Sequence, residues 1–217
     1  KKLRYMGLRN KKCLITCGPT WVEIDDMRVL ANRSTGELGQ TLAQKLVNAG
    51  AGVTLLEGPV LKAFRDRKVR IRKFLFFDDL SRLLKAELKK KYDVIIHAAA
   101  VSDFKLDRRR RGKISSDTKK LVLSFVPTPK LIKMIRLRAP KSCLVGFKLV
   151  PSSEKKALEQ AARRSFKENN CDLIVANSLS KGYTGYIFEK STMRAGPCNH
   201  CRSQLANSLV AVLDKTI

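Results

Sequence analysis

Apolar runs rich in β-branched residues recur along the chain, and between them apolar positions fall at helical spacing. The runs at 13–17, 52–56, 69–76, 93–98, 121–126, 142–149 and 172–176 read as strands. Stretches near 36–49, 78–91, 129–137, 154–169 and 203–215 read as helices. Asp78 or Asp79, and Ser153 ahead of Glu154, are candidate N-caps, and Asn48-Ala49-Gly50 is a helix stop. The strands are continuously apolar, so both faces of their sheet must be covered. Strand–helix alternation of this kind predicts an α/β fold: Rossmann-like, doubly wound, with a mainly parallel sheet. The expected order is 3-2-1-4-5-6, with a ligand crevice at the switch between strands 1 and 4.

Two regions break the rhythm. The segment 103–118 is charged, holds Gly112 and shows neither period. It reads as an exposed flap, about 103–120, leading into the strand at 121–126. The segment 178–201 reads as a loop, a short strand at 186–189, and another loop. Residues 1–12 read as a loosely ordered basic leader, and 13–217 as a single nucleotide-binding domain carrying the flap. The chain opens on Lys1 rather than Met, so a trimmed chain or a piece of a longer protein is expected.

Composition narrows the class. A hydrophobic content of 44% suits a globular domain, and no apolar run has the length of a membrane helix. The net charge of +26, from 45 Lys+Arg against 19 Asp+Glu, attracts polyanions whatever the fold. But the basic residues are spread over most segments, only 6% of residues are aromatic, and no RNA-recognition motif is present. Specific nucleic-acid binding is therefore not expected, nor is a membrane partner. Cys13, Cys17, Cys143 and Cys171 lie in or beside predicted strands, where Cys behaves as a small hydrophobe. Cys198-Asn199-His200-Cys201 offers half a zinc site without a second pair, so no metal ligands are assigned. A cytoplasmic location is expected.

The chemistry concentrates after the first strand. Gly18-Pro19-Thr20 follows the apolar run, and Asn32-Arg33-Ser34-Thr35-Gly36 leads into the first helix. A small-residue helix entrance at a strand's carboxyl end is where a doubly wound fold holds phosphates, because free N–H groups and the helix dipole attract anions. Taken by itself, the turn also fits a capped helix, since neither G-x-G-x-x-G nor G-x-x-x-x-G-K-[ST] is present. A second segment, Ala98-Ala99-Ala100-Val101-Ser102-Asp103, begins across the switch point. Its alanines admit a flat ligand, and Asp103 would hold a ribose hydroxyl, an amine or a metal at the mouth. His97 reads as a packed residue rather than a catalyst.

Together these segments resemble the phosphopantothenoylcysteine synthetase family, also called phosphopantothenate–cysteine ligases. The resemblance runs through Leu14 to Thr20 with Ile24-Asp25, then Asn32-Arg33-Ser34-Thr35-Gly36-Glu37-Leu38-Gly39. It continues through Ala98 to Phe104, Lys113-Ile114, Val145 to Leu149, and Asp172 to Asn177. The resemblance implies a ligase that uses CTP or ATP, with Mg2+, to join 4′-phosphopantothenate and cysteine through an acyl-nucleotidylate. It implies Asn32 and Lys113 as catalytic, with Lys113 reaching across a homodimer interface, and Asn32 and Arg33 on the pantothenate substrate. Gly18, Thr20, Ser34, Thr35, Gly36, Ala98, Ala99, Ala100, Asp103 and Phe147 would bind the nucleotide. Two departures stand out. Lys148-Leu149-Val150 replaces the Ala-Ala-Glu of many bacterial members, and Ser165 and Asn169 stand where counting back from Asp172 places two family lysines, with Arg164 and Lys167 nearby. The flavin-dependent decarboxylase half fused in many bacteria is not in this sequence. Two other readings remain open: a Rossmann-type NAD(P) oxidoreductase, which lacks its glycine fingerprint here, and a basic nucleic-acid-binding module.

Overall fold

The computed structural model describes residues 5–108 and 111–217. In chain order the elements are β1 (Lys12–Cys17), β2 (Trp21–Glu23), β3 (Val29–Ala31), α1 (Glu37–Asn48), β4 (Gly52–Glu57), β5 (Val69–Lys73), α2 (Phe77–Glu87) and β6 (Val94–His97). They continue with β7 (Phe104–Leu106), β8 (Phe125–Pro127), α3 (Leu131–Arg138), β9 (Cys143–Leu149), α4 (Lys155–Asn169), β10 (Leu173–Ser178), β11 (Thr184–Glu189) and α5 (Arg202–Thr216).

The central sheet runs β11-β10-β9-β6-β1-β4-β5. Its first six strands in sequence pair in parallel in the expected 3-2-1-4-5-6 order, and β11 adds an antiparallel edge beside β10. Alternate residues feed two cores. Cys13, Ile15 and Cys17 pack with α1 and α5, whose Leu42, Leu46, Leu205 and Leu209 are fully buried. Leu14, Ile95 and Leu144 face the other way, against Leu80 and Leu84 of α2, Ile135 of α3 and Leu158 of α4. This two-sided burial is the reason the strands read as unbroken apolar runs. Among the described residues no helix is long and apolar enough to cross a membrane.

The expected strand at 121–126 is not in this sheet. Residues 121–124 form no strand, and Phe125–Pro127 pairs antiparallel with Phe104–Leu106 as a separate ribbon. Pro127 cannot donate to a ladder, and Leu121, Val122 and Phe125 stay exposed, so the segment suits a ribbon rather than a core strand. The leader also differs from expectation. Leu8 is fully buried, and its N–H donates to Asp214 Oδ1 at 3.0 Å. Arg109 and Arg110 of the basic flap run lie outside the described residues.

Helix ends follow local chemistry. Gly50, at φ 90°, closes α1 as the expected stop, with its N–H on Val47 O. The predicted cap of α2 is displaced: Phe76 is the N-cap, and Asp79 reaches back to accept its N–H at 3.2 Å. Glu154 rather than Ser153 caps α4, and its N–H donates to Ser152 Oγ at 3.2 Å. Part of the basic charge is structural. Arg70 and Arg72 lie on the edge strand β5, where charge discourages pairing with another chain, and both reach the buried Glu87.

Candidate active site

The first and fourth parallel strands, β1 and β6, continue to pair beyond their ends. Ala98 N–H donates to Thr16 O at 3.0 Å, Ala100 N–H to Gly18 O at 2.9 Å, and Thr20 N–H to Ala100 O at 3.3 Å. Two buried hydroxyls lock the same segment. Thr16 Oγ1 accepts from Ala99 N–H at 3.2 Å, and Thr20 Oγ1 from Ser102 N–H at 2.8 Å. Thr20 thus braces the crevice, with its side chain fully buried. His97 Nδ1 lies 2.9 Å from Thr16 Oγ1, and burial pushes its pKa down to about 4. It is a neutral packing residue, as its sequence context suggested.

The entrance of α1 faces this platform. Gly36 is its N-cap at φ 72° and has no side chain to cap the helix, while Glu37 N–H donates to Thr35 Oγ1 at 3.4 Å. Gly18, at φ 81°, lies against it. A Cβ at Gly39 would collide with Cys17 Cβ, so α1 presses directly onto β1. The entrance N–H groups, with Ser34 half-buried and Arg33 and Thr35 exposed, are arranged to receive an anion. A cavity of about 900 Å³ adjoins this entrance, lined by Thr35, Gln40, Lys62, Phe64 and Arg65.

Asn32 leaves the end of β3 and donates from Nδ2 to Ala100 O at 3.3 Å and Val101 O at 3.2 Å. It therefore stands on the alanine platform itself. Asp103 is exposed at the mouth, where its Oδ1 accepts from Lys130 Nζ at 2.6 Å. Phe147 follows Gly146, which pairs with His97, so its ring lies beside Ala98 on the α1 side of the sheet. Gly18, Thr20, Asn32, Ser34, Thr35, Gly36, Ala98 to Ala100, Asp103 and Phe147 are thus gathered along the carboxyl ends of three adjacent strands.

Lys113 is not among them. Its neighbours are tied to the turn between β2 and β3. Gly112 N–H donates to Asp26 Oδ2 at 2.8 Å, and Ile114 N–H to Asp25 Oδ2 at 3.1 Å. Asp25 also accepts from Arg28 Nη1 at 3.0 Å. Burial opposes ionisation of Asp25, but N–H groups of Ile114, Met27 and Arg28 and the Arg28 charge outweigh it and hold the carboxyl below its ordinary value. Three residues lie between Arg28 and Asn32, and four steps of extended chain cover about 13 Å. The flap is thus fastened at the turn end of the β2–β3 ribbon, and Asn32 follows its other end.

Sequence reasoning missed three contributors. Arg28 clasps the flap, Lys130 holds Asp103, and Arg202 lies 5.6 Å from the Tyr183 ring and 3.4 Å from Glu37 at the α1 entrance. Only Arg28 left a local trace, three residues after Asp25. Ser165 and Asn169 sit on α4, hydrogen-bonded to each other, where the helix runs toward the amino end of β10. That end is opposite the crevice, so lysines at these two positions would not reach it. A cleft of about 1080 Å³ also opens at the amino end, among Lys89, Lys91, Arg138 and Lys141. Helices α2, α3 and α5 end there, so these cations offset carbonyl-rich helix termini. Cys201 caps α5 by accepting from Gln204 N–H at 3.4 Å.

An open, mainly parallel sheet with its crevice at the strand-order switch and a glycine-led helix entrance beside it defines a Rossmann-like α/β domain. The chain belongs to the DNA/pantothenate metabolism flavoprotein C-terminal domain family, whose family model matches residues 8–200. It is 35% identical over 181 residues to the coenzyme A biosynthesis bifunctional protein CoaBC of Thermococcus kodakarensis, covering 82% of this chain and 44% of that protein. It is 33% identical over 212 residues to CoaBC of Borreliella burgdorferi, covering 95% of this chain and 53% of that protein. The chain thus spans about half the length of these curated relatives. The solved DNA/pantothenate metabolism flavoprotein from Streptococcus pneumoniae superposes with a TM-score of 0.84 at 28% identity, over 95% of this chain and 100% of that one. The Cab2 H337A variant in complex with phosphopantothenate-cysteine shares the fold, with a TM-score of 0.76 at 19% identity, over 98% of this chain and 89% of that one.

Proposed function

We propose that this domain is a phosphopantothenate–cysteine ligase. The carboxylate of 4′-phosphopantothenate attacks the α-phosphorus of CTP or ATP, forming an acyl-nucleotidylate and releasing pyrophosphate. The amine of cysteine then attacks the acyl carbon, forming the amide and releasing the nucleoside monophosphate. Both steps depend on positioning and charge neutralisation more than on a strong base. The observation that carries this reading is the placement of Asn32 on the Ala100 and Val101 carbonyls, between the α1 entrance and Asp103.

In this reading Gly18 and Ser34 to Gly36 receive phosphate oxygens, with Thr20 bracing the platform. Ala98 to Ala100, Asp103 and Phe147 hold the nucleoside. Asn32 exchanges one of its long carbonyl hydrogen bonds for the substrate carboxylate, and Arg33 at the same entrance offers that substrate a cation. Among the described residues no three metal-ligating side chains cluster, while Asp103 offers one carboxylate at the mouth. That suits Mg2+ arriving on the triphosphate rather than in a protein cage. Mg2+ supplies neutralisation of phosphate charge when bound.

The working unit is a homodimer. Met27, Val29 and Leu30 on the β2–β3 ribbon are exposed, as are Phe104, Val122 and Phe125 around the second ribbon. In this reading a second copy of the chain covers these residues and brings its Lys113, exposed on the flap, to Asn32. The basic surface is a solvated one, without a specific nucleic-acid partner. The test is pyrophosphate release with 4′-phosphopantothenate and cysteine, with CTP and ATP in turn. Release that requires phosphopantothenate and one of the two nucleotides is expected, and no release with either would overturn the reading.

A further inference from the structure

We propose that Asp25 is a positioning residue for the reaction: it fastens the flap to the β2–β3 ribbon, so that one arm carries both Lys113 and Asn32. The inference rests on the ligase reading for the role of Lys113. The Asp25 side chain has no exposed surface. Its Oδ1 accepts from Met27 N–H at 2.9 Å and Arg28 N–H at 2.7 Å, which closes the ribbon turn. With those bonds alone it would be an ordinary turn residue. Its Oδ2 does something else. It accepts from Ile114 N–H, 89 residues away in sequence, while the Arg28 guanidinium beside it donates to Ile114 O at 3.4 Å. The backbone of Ile114 is thereby bonded on both sides by one acid–base pair.

Gly112, on the other side of Lys113, is bonded twice as well. Its N–H donates to Asp26 Oδ2 at 2.8 Å, and its carbonyl accepts from Asp26 N–H at 3.4 Å. Ile114 buries its side chain, whereas Lys113 between them is exposed. Fixing both neighbours fixes the point from which the ammonium group swings. A tether alone would need only the Ile114 side chain. A buried carboxylate adds direction, because it is costly to leave without its donors and so holds the backbone at one register. The same ribbon ends at Asn32, so movement of the turn is transmitted to both groups.

The test uses Asp25→Asn, Asp26→Ala and Lys113→Gln in the full chain, singly and as the two doubles with Lys113→Gln. Asp25→Asn keeps size and the ability to accept from the turn, but loses the acceptor for Ile114. We expect its kcat to fall about tenfold while the nucleotide KM stays within about twofold, the pattern of a lost transition-state interaction. Amide hydrogen exchange at 112–114 should accelerate without ligand. On top of Lys113→Gln, Asp25→Asn should cost less than about twofold, because residues acting through one group are not additive. Asp26→Ala, at an exposed position, should repeat the exchange and non-additivity in milder form should the buried substitution fail to fold. Full additivity in both doubles, or unchanged exchange at 112–114 in both single variants, would overturn the inference. Full activity in Lys113→Gln would instead remove the role assigned to Lys113, and this inference with it.

Discussion

Gly36→Ala tests whether the α1 entrance is built around an absent side chain. A Cβ there would lie 2.6 Å from Val60 Cγ1, on a residue at φ 72°. Two costs follow, and they are separable. The left-handed backbone penalises an L-residue by about 1–2 kcal/mol, and forcing a methyl into a filled space costs about 1–3 kcal/mol. A total loss of about 2–5 kcal/mol is expected, read as the shift in urea denaturation at constant slope. Adding Val60→Ala removes the collision but not the backbone strain. Measured against Val60→Ala alone, the alanine should then cost about 1–2 kcal/mol. Nucleotide affinity should fall in both Gly36→Ala variants, since the entrance N–H groups are displaced. A Gly36→Ala protein as stable as the parent and equal in nucleotide affinity would refute the reasoning.

Three further outcomes are expected. Asn32→Ala should abolish amide product while leaving nucleotide binding within about threefold, because only the acyl oxygen loses its donor; equal loss in a binding titration and in turnover would count against that role. Mixed dimers of Lys113→Gln with Asn32→Ala should regain up to about half of the parent activity per heterodimer, since a two-fold dimer with exchanged flaps restores one intact site; no recovery in tagged heterodimers would mean that each flap serves its own chain. For Glu87, burial opposes ionisation, but bonds from Lys90, Tyr92 and Arg72 outweigh it and lower its pKa to about 2. Its stabilisation is thus complete above the ordinary value of 4.5 and is lost as pH falls toward about 2. Glu87→Gln should flatten stability measured across that window, and an unchanged pH profile would contradict the ion cluster.

The sheet was legible because its cause is local. Each parallel strand must be apolar on both faces, and that leaves an unbroken run such as Cys13 to Cys17 or Val94 to Ile96. The run at 121–126 misleads for the same reason: its apolar residues match a core strand, and only the adjoining Pro127 speaks for a ribbon. Caps were displaced by a few residues because Asp79 acts from inside α2 on a donor behind it. The alanine platform and the α1 entrance were read as a set because their members sit at strand ends that topology brings together. Contacts across long loops left no such trace. Lys130 meets Asp103 from 27 residues away, and Asp25 meets Ile114 from 89. Nothing in either segment's own pattern encodes its partner.

The central claim, activation of a carboxylate by nucleotidyl transfer, is tested most directly by oxygen transfer. Phosphopantothenate labelled with oxygen-18 in its carboxylate is turned over with cysteine and the nucleotide that supports pyrophosphate release. The acyl-nucleotidylate route carries one labelled oxygen into the nucleoside monophosphate and leaves pyrophosphate unlabelled. Label in inorganic phosphate or pyrophosphate, or an unlabelled monophosphate, would contradict the account.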